Sequence, residues 1–376
     1  MKKHKRSTFS GKLGFVLSAA GASVGLGNIW RFPYLAAKYG GGTFLLTYLI
    51  LTLTFGFSLM ITEVALGRKA GTSAIRAFGH FSKKHTFIGY LTTIIPFIIF
   101  PYYCVIGGWV TKYALVSLQG GIHNAASDTF FTGFISKSAE PMICVLVFLI
   151  ATTVVVAGGV KGGVERVSTI MMPVLIVLLI GVSLFCITRP GAMAGVAYYL
   201  KPSLKGFGPT TILAALGQLF YSMSLAMGIM ITFGSYMPKK ADLEKSVTQV
   251  EIFDTGVAFL AGLMIVPAVF VFSNGDSSML AKGPSLMFVM LPKVFNSMAF
   301  SSVIAAVFFI LVLLAALTSS ISLLETLVAV LMDKFHMKRG TACITMFIIA
   351  LLLAVPSSLG FGAWSNITIL GFDFLD

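Results

Sequence analysis

Nine long apolar stretches, separated by shorter polar ones, divide this chain of 376 residues. They run over about Leu13–Ala37, Thr43–Leu66, Phe87–Leu118, Pro141–Val160, Val167–Thr188, Pro209–Met237, Ser246–Ser273, Val303–Met332 and Ala342–Leu359. None shows the strict alternation of barrel strands, so the pattern predicts helices that cross a membrane. The first alone would make a helix of about 38 Å, enough to span a bilayer. Among the polar stretches, Arg68–His85 is basic and predicts a short amphipathic helix lying at the inner face. Gly120–Glu140 and Arg189–Lys205 read as outside connections, and Lys161–Arg166 as an inside turn. Segment 274–299 is too apolar for a free loop and is expected to fold back as a cap.

Polar and small residues inside the apolar runs carry the chemistry. The first run contains Gly21-Ala22-Ser23-Val24-Gly25-Leu26-Gly27-Asn28-Ile29-Trp30-Arg31-Phe32-Pro33. Each glycine weakens a helix by ~1 kcal/mol relative to alanine, so the helix is expected to open here. Irregular backbone at membrane depth survives where it is buried in protein or lines a cavity. An opened helix presents amides to an anion and carbonyls to a cation. A small-residue packing face is the alternative reading of the glycines alone; Asn28 and Arg31 favour a site. The sixth run has a similar centre, Gln218 to Gly228, with Tyr221, Ser222 and Ser224. These two runs lie five apart and so start on opposite sides of the membrane. That is the mark of an inverted repeat with its site at the midplane.

Three further features stay open at this level. Glu63 is either a buried acid serving the site or an interfacial acid paired with Arg68. Leu317-Thr318-Ser319-Ser320 either offers oxygens to a ligand or bonds its own carbonyls four residues back. Asp254 either faces the site or bonds Lys245 or Lys240 at the inner end of the seventh run.

Composition agrees with a membrane protein: 57% hydrophobic and only 11% charged residues. The net charge of +14 would suit nucleic acid, but its distribution points elsewhere. With the N-terminus inside, 18 Lys/Arg fall on the cytoplasmic side and 8 on the other, Arg31 apart. This asymmetry sets the orientation, in a plasma or inner membrane, and makes the basicity topological. No nucleic-acid partner is expected. Cys104, Cys144, Cys186 and Cys343 lie in or beside apolar runs and form neither a disulfide framework nor a metal spacing. Lys2-Lys3-His4-Lys5-Arg6 reads as an inside anchor rather than the start of a cleaved signal. No paired nucleophile and base is present, so no enzyme is expected.

Taken together, Gly21–Pro33, Glu63 with Gly67-Arg68, Gln218–Gly228 and Leu317–Ser320 resemble the neurotransmitter:sodium symporter family, closest to its bacterial amino-acid transporters of the LeuT fold. The resemblance covers essentially the whole chain. It implies an all-α polytopic membrane protein with about nine transmembrane helices in an inverted repeat. It also implies two sodium ions. The first would be held by the Ser23 carbonyl, Asn28, Ser222 and Asp254. The second would take carbonyls of Gly21 and Val24 with Ala315, Thr318 and Ser319. All are oxygens, as a hard cation requires. The substrate carboxylate would meet amides of the opened first span, around Leu26 and Gly27, and the Tyr103 hydroxyl. The amino group would lie near Ser23, Tyr221, Ser222 and Ser224, with Ser319 close by.

Relatives that carry amines have an acid at the Gly25 position, which replaces the missing substrate carboxylate. An amino acid is therefore expected here. Leu26, Ile99, Tyr221, Met227 and Leu323 would surround its side chain, which suits an apolar or aromatic group. In chloride-dependent relatives an anion sits among residues matching Tyr48, Gln218 and Ser222. Asp254 brings a carboxylate to that region, so no chloride requirement is expected. Ala226 replaces a glycine common in the family, which implies a shorter break in the sixth span. Arg31 would pair with Asp376 across an outer gate.

The resulting division is 1–12 cytoplasmic, 13–188 first repeat, 189–208 outside connection and 209–376 an incomplete second repeat. The family has eleven or twelve spans, so a C-terminally shortened chain is expected, and inactivity through truncation stays open. The rival reading is a non-transporting membrane sensor or assembly partner that keeps a sodium and amino-acid site.

Overall fold

Glycines and hydroxyl residues, rather than prolines, decide where the helices open. The computed structural model describes residues 7–203, 207–273, 285–361, 364, 368–369 and 372–373. The first run forms α1 (Lys12–Ser23) and α2 (Gly27–Lys38), which meet at 52° across Val24-Gly25-Leu26. The second run is α3 (Gly42–Ala70), followed by the short α4 (Ala74–Phe81), whose Ala74, Ile75 and Ala77 are buried. The third is α5 (Lys83–Leu118), unbroken through Pro96 and Pro101. Then come α6 (Ala139–Ala157), α7 (Val160–Ile187) and α8 (Ala192–Leu200). The sixth run splits into α9 (Pro209–Ser222) and α10 (Ile229–Tyr236), separated by six residues, Met223–Gly228. The chain continues through α11 (Leu243–Phe272), α12 (Leu286–Asn296), α13 (Ser301–Phe335) and α14 (Arg339–Gly360). Two-residue strands, Thr368–Ile369 and Phe372–Asp373, pair antiparallel at the end.

Among the described residues, seven continuous helices are long and apolar enough to cross a membrane, and the bent pair α1–α2 makes an eighth path. One expectation needs correction. The stretch read as an inside turn, Lys161–Arg166, is helical and belongs to α7. The reversal is made by Gly158 and Gly159 alone, the latter at φ 87°, where a side chain would be strained. Ala226 belongs to the six-residue break of the sixth run. It sits inside it at φ 60°, with Ser224 at φ 53° and Gly228 at φ 69°. Two non-glycine residues thus hold the left-handed region, so the turn is imposed by surrounding contacts rather than by local preference.

Packing supplies those contacts. Helices α3 and α10 touch backbone to backbone: a Cβ on Gly67 would lie 1.8 Å from the Ile231 carbonyl oxygen, and one on Gly234 2.3 Å from that of Val64. The described part of the apolar 274–299 segment does fold back. Tyr113 on α5 donates its hydroxyl to the Phe288 carbonyl at 2.6 Å, and the Phe288 ring stacks on Phe131.

Candidate functional site

Both helix breaks face the same interior. The Ser224 hydroxyl donates to the Ala22 carbonyl at 3.0 Å, tying the sixth break to the end of α1. Around them lie two oxygen clusters and one cavity.

The first cluster lies between α1 and α13. The Ser319 hydroxyl is 3.0 Å from the Val24 carbonyl and 3.4 Å from that of Gly21. The Thr318 hydroxyl is 3.5 Å from the Val24 carbonyl and 3.1 Å from that of Ala315. All five groups assigned from sequence to the second cation are therefore brought together, and all are neutral oxygens. That set fits a hard monovalent cation. Thr318 also reaches the Leu314 carbonyl four residues back at 3.1 Å, so the local reading of this motif holds in part. Ser322 follows only that local pattern, bonding the Thr318 carbonyl. Ser320 instead meets Thr152 on α6 at 2.9 Å.

The second cluster surrounds Asp254 on α11, which is wholly buried. Its carboxylate accepts from the Ser222 hydroxyl at 3.0 and 3.1 Å and from the Tyr48 hydroxyl at 3.3 Å. The Asn28 amide nitrogen lies 2.7 Å from Asp254 Oδ1, 2.9 Å from Ser222 Oγ and 3.1 Å from the Asp254 carbonyl. Three oxygens thus converge on one point that a positively polarised group occupies. The alternative partners Lys245 and Lys240 make no ion pair with Asp254. Hydrogen bonds from neutral groups leave a buried carboxylate without a countercharge, and a cation at this point would supply one. The Asn28 oxygen meanwhile accepts from the Gly25 amide at 3.0 Å and holds the opened turn in shape. Ser222 belongs to this cluster and does not line the cavity, against its expected place beside the substrate.

The cavity is lined by the other residues expected there: Ser23, Leu26, Gly27, Ile99, Tyr103, Tyr221, Ser224, Met227, Ser319 and Leu323. At one wall the Leu26 amide donates to the Tyr103 hydroxyl at 3.3 Å, an N–H and an O–H side by side. A Cβ built on Gly25 would lie 3.0 Å from that hydroxyl and 2.3 Å from Ser319 Oγ. Much of the remaining lining is apolar: Ile99, Met227, Ile229 and Leu323. Gly25 also lines the cavity, and sequence reasoning missed the two remaining residues, Ala22 and Ile229. Both lie close to the breaks, Ala22 in the last turn of α1 and Ile229 at the start of α10, and that nearness was the available signal.

Closure is visible on both sides. Outside the cavity, Arg31 reaches Gln218 Oε1 at 3.3 Å and the Gly217 carbonyl at 3.4 Å, and lies 5.1 Å from the centre of the Tyr221 ring. Its expected partner, Asp376, falls outside the described residues. On the other side the Phe9 amide donates to the Tyr236 carbonyl at 3.0 Å, and the Tyr236 hydroxyl to Glu325 at 2.7 Å. Arg339 pairs with Glu325 through two hydrogen bonds of 2.6 and 2.8 Å. Glu63 is not paired with Arg68, which turns to the Lys239 carbonyl. Its carboxylate instead accepts from the Ala226 amide at 2.7 Å, inside the sixth break.

A model of the sodium:neurotransmitter symporter family matches residues 6–133 and 131–364 of this chain. An uncharacterized sodium-dependent transporter of Bacillus subtilis, YhdH, is 35% identical over 381 residues, covering 100% of this chain and 84% of its own length. An uncharacterized sodium-dependent transporter of Haemophilus influenzae is 36% identical over 391 residues, with 99% and 85% covered. The crystal structure of MhsT in complex with L-phenylalanine, which has the LeuT fold, is similar at a TM-score of 0.90 and 39% identity. That similarity covers 99% of this chain and 85% of MhsT.

Proposed function

The chain belongs to the sodium:neurotransmitter symporter family, and from that membership we propose that it couples sodium to the symport of a neutral amino acid with an apolar or aromatic side chain. The family transports with sodium and is not one of enzymes. The names of its bacterial relatives favour carriage over a sensor that keeps the same site.

The observation that carries the substrate class is the surroundings of Gly25. An acid at this position would have to displace the Ser319 hydroxyl, 2.3 Å from its Cβ. The substrate must then supply the carboxylate that meets the Leu26 amide and the Tyr103 hydroxyl. The side chain would lie among Leu26, Ile99, Tyr221, Met227, Ile229 and Leu323, where burial gains roughly 1.5–3 kcal/mol. The L-phenylalanine bound to MhsT supports this size and polarity.

Two sodium ions would bind, one at Ser222, Asp254, the Ser23 carbonyl and Asn28, whose side-chain amide would turn to present its oxygen in place of the nitrogen that now faces Asp254, the other at Gly21, Val24, Ala315, Thr318 and Ser319. The first would sit beside the substrate carboxylate, so each ligand raises the affinity of the other. Rocking of the first, second, sixth and seventh spans against the third, fourth, eighth and ninth would expose the site alternately, in nine crossings with the N-terminus inside. Chloride would not be needed, because the Asp254 carboxylate already takes the hydroxyls of Tyr48 and Ser222.

The test compares L-phenylalanine with its decarboxylated amine on the purified protein, with and without sodium, in wild type and Tyr103→Phe. Sodium-dependent binding of the amino acid alone, weakened in the variant, is the expected result. Equal binding of the amine would overturn the reading.

A further inference from the structure

A second cleft lies on the side carrying the Lys/Arg-rich connections, well apart from the central cavity. It has a volume of about 450 Å³, within the range of roughly 300–1,000 Å³ usual for ligand clefts. It opens between α4, the start of α5 and the end of α13. The residues that matter in it are Thr72, Arg76, His80, Thr86, Tyr90 and Lys334.

Three observations give this cleft a chemistry. First, its cations outnumber the acids beside them. The Arg76 side chain is exposed and makes no hydrogen bond or ion pair with any described residue. Lys334 donates to the Tyr90 hydroxyl and lies 4.9 Å from the centre of that ring, so its charge has a neutral partner. No Asp or Glu occurs between Arg68 and His85. The neighbouring acid, Asp333, accepts from the Ser73 amide at 2.6 Å and keeps its charge, so one carboxylate stands against the two cations and the balance at the cleft is still positive.

Second, the Thr72 hydroxyl is buried and has no partner. A buried hydroxyl without a hydrogen bond is unfavourable unless a ligand supplies one. Third, the adjoining surface is apolar. Phe81, Phe87, Leu91 and Ile94 are 46%, 58%, 55% and 50% exposed. A guanidinium fork, an ammonium and hydroxyls above an apolar belt match a phosphate group carried on an acyl-bearing molecule.

We propose that this cleft binds a phosphate group, as the headgroup of an anionic phospholipid or as free phosphate, through Arg76, Lys334 and the Thr72 hydroxyl. Occupation joins α4 to the end of α13. Helix α4 packs through Ala74 and Ala77 on Ile231 of α10, so the bound group also braces the inner half of the broken sixth run.

The experiment uses the purified protein in detergent, titrated with short-chain phosphatidylglycerol, short-chain phosphatidylcholine or inorganic phosphate. Native mass spectrometry and the thermal midpoint report binding. Arg76→Gln/Lys334→Gln is compared with wild type, and Thr72→Val serves as a milder second variant. Sodium-dependent amino-acid binding checks that each variant is folded. Wild type should bind phosphatidylglycerol but not phosphatidylcholine, and the double variant should lose about tenfold or more in affinity. Binding of inorganic phosphate alone, lost in the same variants, supports the site and assigns free phosphate as its ligand. Equal affinity in wild type and variants, or equal binding of phosphatidylcholine, overturns the proposal.

Discussion

The carboxylate of Glu63 accepts a hydrogen bond of 2.7 Å from the amide of Ala226, 163 positions later in the chain. This places the only acid of α3 at the turn where the sixth run unwinds. Glu63→Ala would leave that amide unpaired and should cost on the order of 1–3 kcal/mol of stability. Glu63→Gln keeps an acceptor and should cost less. Unfolding of both variants in detergent checks this, and equal losses would remove the hydrogen bond as the cause.

Ala226 itself is held at φ 60°, where a Cβ is unfavourable. Ala226→Gly should stabilise the protein by up to about 1 kcal/mol, reduced by the added freedom of the unfolded chain. Ala226→Val should destabilise it, because a branched side chain tolerates this region poorly. Thermal midpoints of the pair should move in opposite directions.

Thr318→Ala together with Ser319→Ala removes two of the oxygens gathered between α1 and α13. Each lost bond to a cation should cost on the order of 1.5–3 kcal/mol, which raises the sodium midpoint at least tenfold. Sodium titration of substrate binding measures it. An unchanged midpoint would take the second ion away from this cluster.

Asp254 decides the anion requirement. Its carboxylate already faces the Tyr48 and Ser222 hydroxyls. Chloride at 4 Å would then meet a repulsion of roughly 4 kcal/mol at an effective dielectric of 20. Wild type should bind substrate equally in chloride and gluconate at fixed sodium, and Asp254→Asn should acquire a chloride dependence. Loss of wild-type binding in gluconate would contradict the assignment.

Much of this site could be read from the chain because its parts are local. The glycines of the first break, Asn28 and the Thr318-Ser319 pair each announce themselves within a few residues, and the structure gathers them. The cavity lining followed from the family resemblance, and the structure adds Ala22 and Ile229. What stayed hidden depends on partners distant in sequence. Nothing near Glu63 distinguishes Arg68 from the Ala226 amide as its partner, and only the contact of α3 with α10 decides it. Ala226 shows the same dependence: its intrinsic preference argues against a left-handed turn that the Ser224 and Glu63 hydrogen bonds impose. The Lys161–Arg166 stretch read as a turn because it is charged and glycine-bearing, yet Gly158-Gly159 suffices for the reversal.

Gly67 and Gly234 put α3 and α10 in contact with no layer of side chains between them. Ordinary helix pairs can slip, since intervening side chains change rotamer and act as bearings. Here carbonyl oxygens lie where any Cβ would be, and small displacements in either direction run into backbone. In the rocking proposed for transport the two helices would turn as a single lever, with the flexing left to the Met223–Gly228 joint above it. A methyl group added at either glycine would act as a wedge at the fulcrum, far from any ligand and without touching one.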